Sequence, residues 1–162
     1  MAGRMIVVGM ADLNVTTAPG ALTTLGLGSC VGIALYDPSA KVAGLAHVML
    51  PDSTKIQNNQ NVAKFADTAM VKLIDDMVKI GAKKQRLQAK IAGGAQMFAF
   101  NAKNENMRIG DRNVEATLKL LKQNHIPLIA YEVGANYGRT VELYAEDGRF
   151  LIKTIGHGHR VL

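Results

Sequence analysis

The sequence predicts one α+β domain, rich in β-strand, with two or three helices. Short apolar or β-branched runs bounded by Gly, Pro, Asn and Asp recur along the chain, the mark of strands separated by turns. Only Val62–Ile80 and a shorter stretch near Arg112–Gln123 carry apolar residues at the three-and-four spacing of a helix. No internal repeat and no low-complexity linker divides the 162 residues. Residues 1–162 therefore read as a single domain, long enough for a sizeable core.

The elements follow in order. Met5–Gly9 is apolar and β-branched and reads as a first strand. Ala11–Gly20, with Asn14, Pro19 and Gly20, reads as a loop, and Leu22–Leu27 as a short strand. Val31–Tyr36 and Val42–Leu50 are apolar runs split by Asp37-Pro38-Ser39-Ala40-Lys41. Pro presets φ for a turn and Asp accepts from the backbone ahead of it, so the pair reads as a β-hairpin. Asp52–Asn61 is polar and reads as a mobile connection. In the long helix Val62, Phe65, Ala66, Ala69, Met70, Leu73, Ile74, Met77 and Val78 share one face, and Gly81 is the stop.

Arg86–Ile91 reads as a strand, Gly93-Gly94-Ala95 as a turn, and Ala102–Met107 as a polar loop. Asp111 is a fair cap for a helix from about Arg112 to Gln123, with Val114, Thr117, Leu118 and Leu121 as its buried stripe. Leu128–Val133, Arg139–Tyr144 and Phe150–Ile155 read as strands, the last two joined by the turn Glu146-Asp147-Gly148-Arg149. Residues 156–162 read as a flexible tail. Its two histidines lack a third ligand, so no metal site is expected there.

Composition narrows the function. No apolar stretch approaches the roughly 20 residues of a membrane helix, so no direct membrane insertion is expected. One cysteine excludes an intrachain disulfide framework and suits a reducing, cytoplasmic location. The formal charge of +6 suits an acidic protein partner, with Lys83, Lys84 and Arg86 as candidate contacts. Aromatics are 5% of residues, too few for stacking on single strands, so nucleic acid is not the expected partner.

The chemistry concentrates in Thr23–Pro51. This stretch holds the only cysteine, Cys30, and the only histidine of the first half, His47. If Pro38 and Ser39 form the shortest loop, Asp37 faces Ala40 and Cys30 falls opposite His47. Proline disfavours the tightest loops, which leaves other registers open. A one-residue slip separates the pair; a two-residue slip restores a shared face with His47 diagonal to Cys30. Two readings of the cysteine stay open on the residues alone. One is a small buried apolar side chain. The other is a nucleophile activated by the imidazole. In that second reading, the amides of Gly28-Ser29-Cys30-Val31 lie where an oxyanion forms, and Thr24 or Thr23 can orient the ring.

Leu27-Gly28-Ser29-Cys30-Val31-Gly32-Ile33-Ala34-Leu35-Tyr36-Asp37, followed by Gly44-Leu45-Ala46-His47-Val48-Met49-Leu50-Pro51, resembles the signature of the CheD family, chemoreceptor glutamine deamidases of bacterial and archaeal chemotaxis. Val7–Asp12, Lys90–Met97, Ile109–Asn113 and Gly138–Val141 resemble further family segments in the same order. The resemblance implies a layered α/β sandwich of the kind shared with certain toxin-type cysteine deamidases. It implies Cys30 as nucleophile, His47 as its partner and Thr24 as third member, with Gly28, Ser29 and Val31 near the oxyanion. It implies hydrolysis of receptor glutamine side chains to glutamate and ammonia through a thioester, with some glutamate methyl-ester hydrolysis, and no metal or organic cofactor. The implied partners are chemoreceptor cytoplasmic domains and a CheC-type phosphatase of CheY. A competing reading is a non-catalytic module that binds and stimulates that phosphatase. A thiol redox role is disfavoured because no resolving cysteine exists.

Overall fold

A computed structural model of the chain describes residues 3–96 and 108–162. The polar loop expected at Ala102–Met107, and Met97, lie outside the described residues. Strands β1 (Met5–Val7), β2 (Asp12–Thr17), β3 (Ala21–Leu27), β4 (Val31–Asp37) and β5 (Val42–Val48) precede helix α1 (Ala66–Lys79). Strand β6 (Gln88–Gly93), helix α2 (Ile109–Gln123) and strands β7 (Leu128–Val133), β8 (Arg139–Tyr144), β9 (Phe150–Thr154) and β10 (Gly158–Val161) follow. Two five-stranded sheets result, ordered β1-β3-β8-β9-β10 and β2-β5-β4-β6-β7. The fold is α+β, as the sequence predicts.

Two apolar layers hold it together. Alternate residues of the second sheet, among them Val31, Ile33, Leu35, Ala46 and Val48, face α1 and α2. Ala69, Met70, Leu73 and Met77 of α1 meet them. The other face, with Ala34, Tyr36, Ala43 and Leu45, packs on Leu22, Val141, Leu143, Phe150 and Ile152 of the first sheet. The order is helices, sheet, sheet. Burial on both faces explains why β4 and β5 read as continuous apolar runs instead of alternating ones.

The hairpin takes the two-residue slip. Asp37 pairs with Val42 and Gly32 with His47, around a four-residue loop. The loop is built on Asp37, whose Oδ1 accepts from the amides of Ser39 and Ala40. Lys41 closes it at φ 53°. Proline thus leaves the positive φ to another residue.

Several expectations are corrected. Ala11–Gly20 is not a loop: β2 pairs antiparallel with β5 from Asp12↔His47 to Thr17↔Val42. Residues 156–162 are not a flexible tail: β10 pairs with β9, and the Leu162 amide donates to the Phe150 carbonyl. Both missed strands are sheet edges. An edge strand buries less than a central one, so its sequence need not alternate strongly. Asp52–Asn61 carries a 3-10 turn at Ser53–Lys55, and Ser53 is anchored to Asp67 through amide and hydroxyl. The first helix starts at Ala66, after a separate turn at Val62–Lys64, and Val62 and Val78 are exposed. Helix α2 starts at Ile109, not near Arg112, and buries Gly110, Asn113, Thr117 and Leu121, leaving Leu118 outside. Its buried stripe is small and polar because it lies close against backbone. A Cβ on Gly110 would stand 2.4 Å from the Ala95 carbonyl oxygen.

Candidate active site

The site forms at one end of the sandwich, where β3 turns into β4. Strand β3 carries a bulge between Thr24 and Leu27, with Gly26 at φ 70°. The extra residue shifts the side-chain phase, so Thr24 and Leu27 both point inward while Leu25 and Gly26 face solvent. Thr24 keeps the inward phase of Leu22 and reaches the space between the sheets, and the bulge returns Leu27 to that face. Thr23 does not: its hydroxyl donates to the Val141 carbonyl.

His47 is fully buried on the inward face of β5. Its Nδ1 lies 2.7 Å from Thr24 Oγ1. The same hydroxyl donates its one proton to the Val8 carbonyl, also at 2.7 Å. A hydroxyl has one hydrogen, so toward the ring Thr24 can only accept. His47 therefore carries its proton on Nδ1. Nε2 is left with a free lone pair, and it is buried without a hydrogen-bond partner. Burial lowers the His47 pKa below its usual 6.5, which keeps the ring neutral.

Cys30 sits just before β4, on the same side of the sheet as Gly32 and Ala34, and is 7% exposed. Gly32 pairs with His47, so Cys30 is diagonal to the ring. Diagonal neighbours on one face have Cβ atoms about 7 Å apart. Gly32 adds no side chain there, and Leu27 from the facing sheet packs over it. Burial raises the Cys30 pKa above 9.0, opposed in part by its own amide, which faces the sulfur. The resting pair is a neutral thiol and a neutral imidazole.

The turn holding Cys30 is fixed by its carbonyls. Gly28 O accepts from Ala95 N at 2.9 Å, Cys30 O from Gly94 N at 2.8 Å, and Ser29 O from Asn113 Nδ2 at 2.9 Å. The amides of Gly28 and Ser29 make no hydrogen bond among the described residues, and that of Cys30 faces only its own sulfur. Val31 opens β4, paired with Val48 on one side and Gly93 on the other. The Gly93-Gly94-Ala95 turn does lie beside Cys30. Its Gly94 and Ala95 amides donate to the carbonyls of Cys30 and Gly28, so those two are not left to hold a substrate amide.

Sequence reasoning missed two residues that build this end. Arg139, 2% exposed, binds Glu132 at 2.7 Å and reaches the carbonyls of Gly134 at 3.0 Å and Gly93 at 3.3 Å. Asn113, fully buried, spends its amide nitrogen on Ser29 and Met49. The only hint was their place in segments resembling the CheD family. Among the described residues no group of three or more acidic, histidine or cysteine side chains could hold a metal ion. No helix of the described residues is long and apolar enough to cross a membrane.

Fold and site together define a two-sheet α+β protein with a lone buried thiol on the same sheet face as a hydroxyl-oriented, neutral imidazole, diagonal to it and with no hydrogen bond between sulfur and Nε2. The comparisons with known proteins agree with one family. The model for CheD chemotactic sensory transduction matches residues 49–154. A protein of Caldanaerobacter subterraneus subsp. tengcongensis, named probable chemoreceptor glutamine deamidase CheD, is 59% identical over 98% of each chain. One of Lachnoclostridium phytofermentans with the same name is 58% identical over 95% of this chain and 96% of its own. One of Halalkalibacterium halodurans, named chemoreceptor glutamine deamidase CheD, is 52% identical over 96% and 97%. This chain belongs to the CheD family. A solved protein of Neisseria meningitidis aligns at a TM-score of 0.49 and 12% identity, over 82% of this chain and 64% of its own.

Proposed function

We propose that this chain hydrolyses glutamine side chains of chemoreceptors to glutamate and ammonia, with Cys30 as nucleophile. The observation that carries the reading is the Val8–Thr24–His47 relay, which leaves Nε2 as an unprotonated base on the Cys30 face. Membership of a family whose relatives bear the deamidase name supplies the substrate class.

The Cys30 thiol gives its proton to His47 Nε2 as sulfur attacks the side-chain carbonyl carbon. The tetrahedral oxyanion is held by amides of the Gly28–Val31 turn; those of Gly28 and Ser29 are the unengaged ones, and one such donor is worth roughly 10²-fold or more. The C–N bond breaks as the imidazolium returns its proton to the leaving ammonia. Water then gives a proton to Nε2 and attacks the thioester; the C–S bond breaks, glutamate leaves, and the imidazolium returns its proton to sulfur, restoring the thiol and the neutral ring. Thr24 holds the ring in the tautomer this requires. A glutamate methyl ester gives the same acyl-enzyme with methanol as the leaving group.

The partners we propose are receptor cytoplasmic domains and, from the family resemblance, a CheC-type phosphatase, which sets the reaction in the cytoplasm. The test is ammonia release from receptor cytoplasmic fragments. Cys30→Ala is expected to abolish it with the fold retained, and undiminished release would remove Cys30 from the mechanism. Binding of the phosphatase is expected to survive Cys30→Ala, since the substitution removes one buried atom and no surface.

A further inference from the structure

We propose that Asn113 is a positioning residue that sets the separation of Cys30 from His47. This rests on the reading of Cys30 as nucleophile. The β4–β5 ladder ends at Val31↔Val48. The next residues on the two strands are Cys30 and Met49, and no backbone pairing joins them. Asn113 takes over at that point. Its Nδ2 donates to Ser29 O at 2.9 Å and to Met49 O at 2.9 Å. One group therefore grips the residue before the cysteine and the residue two beyond the histidine. Both hydrogens of the amide nitrogen are used, which fixes which way the amide points.

The side chain also leaves its Oδ1 buried without a partner. An unsatisfied buried acceptor is unfavourable, and a small apolar residue would dock α2 without it. Such a breach of the packing rules is expected where the group serves a site. Thr117, one turn further along α2, supplies the contrast. It is equally buried, but its hydroxyl donates only to the Asn113 carbonyl of its own helix. Helix docking alone needs nothing from Asn113 that Thr117 does not also give.

The experiment compares Asn113→Ala with Thr117→Val in the full chain. Two readouts are used: deamidation kinetics, and alkylation of Cys30 by iodoacetamide, which needs no receptor. Loss of the clamp is expected to lower kcat roughly 100-fold with KM little changed, because small misplacements of a nucleophile are costly. It is expected to speed alkylation about fivefold as the Ser29–Cys30 turn opens the buried thiol. Thr117→Val is expected to leave both unchanged. Native kcat and native alkylation in Asn113→Ala would overturn the proposal, as would equal effects from the two variants. If the chain proves inactive on glutamine, alkylation still decides the matter. If Asn113→Ala does not fold, the native protein serves. Its Asn113 side-chain amide protons are expected to be protected from exchange and to shift on carbamidomethylation of Cys30; freely exchanging or unshifted protons would overturn the assignment.

Discussion

At the scale of single residues, the proposed mechanism rests on proton placement. Thr24 has one hydrogen and two partners, and its donation to Val8 dictates the tautomer of His47. Thr24→Val removes both interactions, so the ring can rotate or change tautomer. Deamidation is expected to fall roughly 10²-fold, and Thr24→Ser, which keeps the hydroxyl, is expected to recover most of it. Steady-state ammonia release checks this. The pH profile follows from burial. His47 must be neutral to accept a proton, and its pKa is held below 6.5. Activity should therefore persist below pH 6.5 and fail only as the pH drops through that lowered value. The sign for stability runs the same way. Above pH 6.5 the ring is neutral folded or unfolded and contributes nothing. Below it the unfolded chain takes up the proton first, so stability falls with pH. Cys30, pushed above 9.0, should react slowly with iodoacetamide near neutrality and faster as the pH rises past 9. An alkylation limb near pH 6 would contradict a neutral resting pair. The sequence made Cys30, His47 and a nearby hydroxyl legible as types. Spacing alone could not choose Thr24 over Thr23, because the choice depends on which face of β3 each occupies; the family resemblance pointed to Thr24.

At the scale of elements, the hairpin register is a product of the Asp37 loop. Asp37 is fully buried beneath Arg86, whose NH2 lies 2.9 Å from Oδ2. Burial alone would raise its pKa, but Arg86 and the amides of Lys83, Ala40 and Ser39 outweigh it and hold the carboxyl at about 2. The stability this gives is complete above pH 3.8 and is lost as the pH falls from there toward 2. Asp37→Ala strands the guanidinium and three amides and should cost roughly 3 kcal/mol, measured by urea unfolding at pH 7. A second element-level contact couples packing to the site. Gly93 ends β6 at φ 106°, and a Cβ there would stand 2.2 Å from the Cys30 carbonyl oxygen. Gly93→Ala should destabilise the fold by about 1–3 kcal/mol and also displace Cys30, the proposed nucleophile, so activity per folded molecule should drop. Unchanged activity in the folded fraction would show that the turn can move without the sulfur. Elements with two buried faces were readable because burial writes apolar runs. The edges β2 and β10, and the small polar stripe of α2, left no such mark.

At the scale of the whole molecule, the two sheets must keep a fixed relation at the end that carries the site, because Thr24 belongs to one and His47 and Cys30 to the other. Apolar packing between the sheets resists separation but permits sliding, since it has no direction. A directional tie is needed, and Arg139 supplies it. It stands at the start of β8 in the first sheet, paired with Leu27 beyond the bulge. Its guanidinium reaches Glu132 on β7 of the second sheet, the Gly93 carbonyl at the end of β6, and the Gly134 carbonyl just past β7. Composition and periodicity gave no sign of this, since a buried arginine looks like any surface cation until its partners are brought together across long stretches of chain. Arg139→Leu keeps apolar bulk but leaves Glu132 without that ion pair and removes the donor to two carbonyls. The loss should be about 3–5 kcal/mol, which for a chain of this size lowers Tm by roughly 6–20 °C. If Arg139 also fixes the sheets in register, the folded fraction at low temperature should lose kcat along with stability, because Thr24 would no longer meet His47 squarely. A variant with the lowered Tm and native kcat would confine Arg139 to stability and leave the alignment of the sheets to the other hydrogen bonds between them, among them Tyr36 to the Ala145 carbonyl and Lys90 to the Gly148 carbonyl.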